Sequence, residues 1–293
     1  MIGRMGGAAM SKNYRAELVG VFGDPVEGNP TGVVEEAGFA AKGLNYRYLT
    51  IKVTPEDFED AMKSLKALHM KGINLTMPHK IAVLPYLDEI SEAARIIGAV
   101  NTVNVEDGKL FGDNTDGRGF VQALKNEGIT PAGKTVTILG AGGAAKAIAV
   151  ECALAGASRI TIVNRSEEHA RELVKSVKEN TNAEADFILW EAGQKIPQET
   201  QILINGTPVG LHPCTDQKPD IDYDTINRNM IVSDVVFNPA DTLFLQEARA
   251  RGAKTISGLG MLACQGALNF TIWTGQEAPY DVMFEALKKE FEE

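Results

Sequence analysis

Cysteine is scarce in this 293-residue chain, and the three present, Cys152, Cys214 and Cys264, are odd in number and far apart. That excludes a disulfide framework, and without a C-x-x-C pair it fits reduced thiols in a cytoplasmic protein. Four scattered histidines (His69, His79, His169, His212) form no H-E-x-x-H or Cys/His spacing, so no metal site is expected. No apolar run approaches the roughly 20 residues of a membrane helix. The opening MIGRMGGAAMSKN lacks the apolar stretch of a signal peptide; it is expected to be disordered, with Met1, Met5 and Met10 as alternative starts. A basic excess is missing too. With 29 basic against 39 acidic residues the net charge is −10, which excludes a broad face for a nucleic-acid backbone but leaves small anions open.

What is present is a globular composition, 44% hydrophobic and 23% charged, long enough for about two domains. Strand-like and helix-like segments alternate, the pattern of an α/β fold. ELVGVFG and YRYLTIKV read as strands, with a helix over VVEEAGFAAKGL between them. In TPEDFEDAMKSLKAL, Thr54 is the expected N-cap and Pro55 the first helical residue. GINLTMP reads as a strand and residues 81–97 as one helix; Asp107-Gly108 between apolar runs predicts a hairpin. From Asp116 the chain reads as a nucleotide domain, residues 116–261. The expected partner domain is 1–115 plus a C-terminal helical return, 262–293. The second domain is expected to be a Rossmann-type doubly wound parallel sheet.

GAGGAA, residues 140–145, directly follows the apolar strand TVTIL. Gly140 suits the tight turn, Gly142 the close approach to a pyrophosphate, and Ala145 the packing of helix on strand. Gly140, Ala141, Gly142, Gly143 and Ala144 are therefore candidate cofactor residues, aided by the partial positive charge of a helix N-terminus. The next strand ends in Asn164 and Arg165 rather than in a carboxylate. An arginine there clamps a 2′-phosphate, which favours NADP; Glu167 and Glu168 close by leave NAD open.

Lys80 follows the strand GINLTMP, and Asp116 lies in GDNTDG at the inferred domain junction. Oxidising a secondary alcohol needs a proton removed as hydride leaves, and a lysine with an aspartate in a dry cleft can move it. A lysine beside a carboxylate keeps its proton, so Lys80 reads as a charged donor to the reacting oxygen.

NLTMPHK, GAVNT, NTDG, GAGGAA, VNR, NGTPVG and GLGMLACQGALNF stand in the order found in the shikimate dehydrogenase family. The chain resembles that family from about residue 17 to 280, closest to its quinate/shikimate branch. The resemblance implies reversible NADP-dependent reduction of 3-dehydroshikimate to shikimate, in aromatic amino acid biosynthesis. It assigns Lys80 and Asp116 to the catalytic pair, and Asn101, Gln265, Thr76 and Tyr48 to the substrate. Gly258 and Met261 match positions beside the nicotinamide. One motif departs: where the family has H-S-x-S-P for the substrate carboxylate, this chain has EGNPTG, with Asn29 and Thr31 at the hydroxyl positions and Glu27 nearby. Quinate or a related cyclic acid thus stays open as substrate, as does a nucleotide sensor without turnover. A monomer or homodimer is expected.

Overall fold

The computed structural model describes residues 13–291; the alternative starts and, but for Asn13, the segment expected to be disordered lie outside the described residues. Two six-stranded sheets organise them. The first contains β1 (Glu17–Gly23), β2 (Tyr46–Lys52), β3 (Gly72–Leu75), β4 (Glu89–Ile90), β5 (Thr102–Glu106) and β6 (Lys109–Asp113) in the order β2-β1-β3-β5-β6-β4. β1 pairs in parallel with β2 and β3, whereas β5 runs antiparallel to both β3 and β6. The Asp107-Gly108 hairpin forms as expected, with positive φ at both residues (49° and 76°), the geometry of a type I′ turn. α1 (Thr31–Ala41), α2 (Phe58–Ala67), α3 (His79–Ala82) and α4 (Glu92–Ile97) connect these strands.

α5 (Thr115–Asn126) leads to the second sheet, which is parallel throughout: β7 (Thr135–Leu139), β8 (Arg159–Asn164), β9 (Glu184–Leu189), β11 (Ile202–Asn205), β13 (Ile231–Asp234) and β14 (Lys254–Ile256). Its order, β14-β13-β11-β7-β8-β9, is doubly wound about β7, and a small ribbon of β10 (Gln194–Lys195) and β12 (Ile221–Asp222) lies outside it. These strands are near-continuous apolar runs because both faces are covered. α6 (Gly143–Leu154), α7 (Glu167–Asn180) and α8 (Leu243–Ala250) supply much of that cover. α9 (Gly258–Thr274) and α10 (Tyr280–Glu290) return to pack on α1 and the first sheet. Among the described residues no helix is long and apolar enough to cross a membrane.

Two sequence expectations are corrected. Thr54 is not the N-cap of α2: the cap is Asp57, because residues 54–57 close a turn (Asp57 N to Thr54 O, 3.2 Å) before the helix begins. Residues 81–97 are not one helix. Pro85, which has no N–H to donate, sits in a 3₁₀ turn over Leu84–Tyr86; β4 then pairs with β6, and Ser91 caps a new helix by accepting from Ala94 N (3.2 Å).

Candidate active site

Lys80 is aimed by its neighbour. His79 is 1% exposed, stacks on Phe58 (4.3 Å between ring centroids, 5° between planes), and its Nε2 lies 2.7 Å from the Val53 carbonyl oxygen. With His79 turned into the core, the next residue of this short helix points the other way. The Lys80 carbonyl accepts from Val100 N (2.8 Å), which fixes the turn against the segment that carries Asn101. Lys80 Nζ then donates to Asp116 Oδ2 at 2.6 Å, with the two side chains 29% and 14% exposed. Asp116 lies in the first turn of α5, where the Asn114 side chain accepts from Asp116 N (3.2 Å).

The other oxygen of Asp116 accepts from Asn101 Nδ2 at 2.7 Å. Asn101 Oδ1 in turn accepts from Thr115 N (2.7 Å), and behind them the Thr102 and Thr115 hydroxyls donate to Asn269 Oδ1 (2.7 and 2.9 Å). Every polar atom of the Asn101 amide has a partner, so its orientation is fixed by the fold. Gln265 reaches the same place from α9, its Oε1 accepting from Asn269 Nδ2 (3.3 Å), which leaves its NH2 to donate to a ligand. The approach of α9 to α5 depends on Gly119. A Cβ there would stand 2.8 Å from the Gln265 backbone nitrogen, so glycine is what lets Asp116 and Gln265 share one wall.

These groups line a cavity of about 200 Å³. Thr76, Asn74 and Asn101 form the wall from the first sheet, and Ala144, Gly258 and Met261 form the wall from the second. Asn29 and Thr31 close one end. Tyr48, expected beside a substrate, does not line the cavity; its hydroxyl donates to Asn74 Oδ1 (2.9 Å) from one layer behind. Glu27 turns away, exposed and accepting from Val26 N (3.0 Å), and its own backbone N–H, with that of Val26, holds its carboxyl below the ordinary carboxylate range. Glu35, one helical turn after Thr31, is 0% exposed, and neither carboxyl oxygen has a hydrogen-bond partner. Burial pushes its carboxyl well above the ordinary range, and Glu36 adds to the shift.

The glycine turn lies at the carboxyl edge of the second sheet, where the strand order reverses between β7 and β11. Gly140 has φ +102°, and its N–H bonds the Val163 carbonyl at 2.7 Å. Gly142 stands at the N-cap of α6 with no side-chain cap, and an added Cβ at Gly142 or Gly143 would meet nothing within 4 Å. Exposed backbone N–H groups at an uncapped helix start, with open space before them, fit a dinucleotide diphosphate. Ala144 joins this cradle to the cavity. At the end of β8, Asn164 Nδ2 bonds the Ser166 carbonyl (2.8 Å) and Arg165 is exposed. Glu167 is occupied by Arg171 (2.5 Å), so it does not neutralise Arg165. The fold thus gathers Lys80, Asp116, Asn29, Thr31, Thr76, Asn101, Gln265, Ala144, Gly258 and Met261 around one cavity. Gly140, Ala141, Gly142, Gly143, Asn164 and Arg165 lie outside its walls, on the sheet edge that leads to it.

Three family models match the chain in order. They describe the shikimate dehydrogenase substrate binding domain (residues 21–103), shikimate / quinate 5-dehydrogenase (123–208) and the shikimate 5′-dehydrogenase C-terminal domain (258–288). The shikimate dehydrogenase (NADP(+)) of Desulforamulus reducens is 42% identical over 282 residues, covering 95% of this chain and 97% of that one. The chain belongs to the shikimate dehydrogenase family. Among solved structures, a shikimate dehydrogenase in complex with NADP+ is 40% identical with a TM-score of 0.87, covering 95% of this chain and 97% of the other. A ligand-free 5-ketofructose reductase of Gluconobacter sp. is 44% identical with a TM-score of 0.91, covering 95% and 100%.

Several residues that shape this shikimate dehydrogenase-family site escaped the sequence reading. Asn74, Thr102, Thr115 and Asn269 lie inside the motifs NLTMPHK, GAVNT, NTDG and GLGMLACQGALNF, but no role was read for them from the sequence. Glu35 carried a signal: it is an acidic residue i+4 from Thr31, on the face of α1 that also buries Val34, Gly38 and Phe39.

Proposed function

We propose that this chain catalyses the reversible NADP-dependent reduction of 3-dehydroshikimate to shikimate, the hydride transfer of its family at a secondary alcohol. The observation that carries the reading is the Lys80 Nζ–Asp116 Oδ2 contact at 2.6 Å, on a cavity that Gly258, Met261 and Ala144 border from the nucleotide side. Lys80, a charged donor, binds the carbonyl oxygen and delivers a proton to it as negative charge develops. Asp116 holds the ammonium in place, Asn101 holds Asp116, and Lys80 regains its proton from solvent after turnover. When bound, NADPH supplies the hydride. Gly140–Ala144 would receive its diphosphate, and Arg165, which has no ion-pair partner among the described residues, would receive the 2′-phosphate. Asn101, Gln265 and Thr76 bind the ring hydroxyls. Residues 1–115 with 262–293 and residues 116–261 act as two lobes that close on the substrate, in a cytoplasmic monomer or homodimer.

The experiment is steady-state oxidation of shikimate and of quinate, each with NADP and with NAD, followed by absorbance at alkaline pH. Turnover of shikimate with NADP is expected; quinate alone, or NAD alone, would move the assignment within the family. Absence of turnover with tight nucleotide binding would defeat it. A second substrate reading is favoured by a specific observation, the Asn29/Thr31 end of the cavity, together with the likeness to the 5-ketofructose reductase. There the same proton and hydride transfers act on an uncharged polyhydroxy ketone.

A further inference from the structure

We infer that Asn269, buried in α9, is a positioning residue: it fixes the Gln265 amide with its NH2 toward the cavity, so that Gln265 acts there as a hydrogen-bond donor. The inference rests on the shikimate reading above and assigns the sense of one contact within it. Asn269 is 0% exposed. It touches the side chains of Thr102 in β5, Thr115 in α5 and Gln265 one turn earlier in its own helix. These are the elements that carry or adjoin Asn101, Asp116 and Gln265.

Two chains of hydrogen bonds start from main-chain groups whose sense cannot change, and both end on Asn269. In the first, the Thr115 N–H donates to Asn101 Oδ1 (2.7 Å), so Asn101 Nδ2 faces the Thr115 hydroxyl (3.0 Å) and donates to it. That hydroxyl has one proton, and donates it to Asn269 Oδ1 (2.9 Å). In the second, the Asn101 carbonyl accepts from Asn74 Nδ2 (3.1 Å), which also donates to the Thr102 hydroxyl (3.0 Å). Thr102 then donates to Asn269 Oδ1 at 2.7 Å, the length of an O–H···O bond. The reverse sense would send both threonine protons to Asn101 Oδ1 over 3.1 and 3.2 Å, crowding an oxygen that already accepts from Thr115 N. With Oδ1 so occupied, Asn269 Nδ2 faces Gln265 Oε1 (3.3 Å), and the Gln265 NH2 is what remains for the cavity.

The test combines Asn269→Leu and Gln265→Ala in a double-mutant cycle, read by shikimate oxidation with NADP and by fluorescence titration of NADPH. Each single change is expected to raise KM for shikimate about tenfold, with kcat within about threefold and NADPH affinity unchanged. The double variant should match either single one within about twofold, because Asn269 acts through Gln265. Asn269→Asp keeps an acceptor for both threonines and serves if the leucine variant does not fold. Its introduced carboxyl is followed by infrared spectroscopy across pH. While protonated it still donates to Gln265 Oε1, and KM should match the parent; once ionised it draws the Gln265 NH2 inward, and KM should rise about tenfold. Effects that multiply in the cycle overturn the inference and leave the shikimate reading intact. So does a raised KM with the carboxyl protonated, or a parental KM with it ionised. A parent without shikimate turnover overturns both.

Discussion

At the end of the cavity where Lys80 meets Asp116, each polar group is held by another: Asp116 by Lys80 and Asn101, Asn101 by Thr115, and the Thr115 and Thr102 hydroxyls by Asn269. At the Asn29/Thr31 end the hydrogen bonds are local to one loop and helix, and the buried carboxyl of Glu35 has no partner. The difference teaches where each end can change. A fully connected network moves a proton reproducibly because no member can rotate, but it tolerates little substitution. A loosely connected end can exchange one ligand for another without disturbing the reacting centre. On the function proposed above, the reaction would sit at the first end and the substrate choice at the second.

The comparison breaks most sharply at Lys80. Lys80→Ala is expected to lower kcat by roughly 10²–10⁴ with nucleotide affinity unchanged, by steady-state kinetics and fluorescence titration of NADPH. Turnover surviving within a few-fold would remove Lys80 from the reacting centre. Gly119→Val acts on the junction that assembles this end. Its side chain would enter the Gln265 backbone, and a stability loss of about 1–3 kcal/mol is expected in urea melts, with kcat reduced as Asp116 and Gln265 part. Arg165→Ala touches neither end and serves as a reference. KM for NADP should rise about tenfold while KM for NAD stays put, and equal changes would deny it the 2′-phosphate.

The smallest effect belongs to the unpartnered end. The folded chain keeps a proton on Glu35 at pH values where the unfolded chain has released it, since the ordinary value is 4.5 and the folded one is raised. Stability from this group is therefore complete below about pH 4.5 and is lost as pH rises toward the folded value. Glu35→Gln should match the parent in thermal melts at pH 4 and exceed it at pH 8. A parallel pH profile for the two proteins would show that Glu35 finds a partner in solution.

The nucleotide half was the more legible. TVTIL, RITIVN and the glycine turn fall where the structure has β7, β8 and the start of α6, because a buried parallel strand must be an apolar run and a diphosphate turn must lack side chains. The substrate half was less legible, since its helices are short and capped by contacts from elsewhere. Residues 81–97 look continuous in sequence, yet Pro85 and the pairing of β4 with β6 divide them. Tyr48 is a case in kind: motif order placed it at the substrate, and only the Asn74 amide shows it one layer behind.

By itself the sequence determined the α/β class, and it singled out the glycine turn and the Lys80–Asp116 pair proposed above for the dinucleotide and the proton, because each rests on local chemistry: strand periodicity, glycine at a turn, a lysine and an aspartate in ordered motifs. Only the tertiary structure decided the direction of each hydrogen bond. That Tyr48 donates to Asn74 depends on the Asn101 carbonyl, which turns the Asn74 amide; Tyr48 from β2, Asn74 from β3 and Asn101 share no local pattern and meet because two strands and a loop pack side by side.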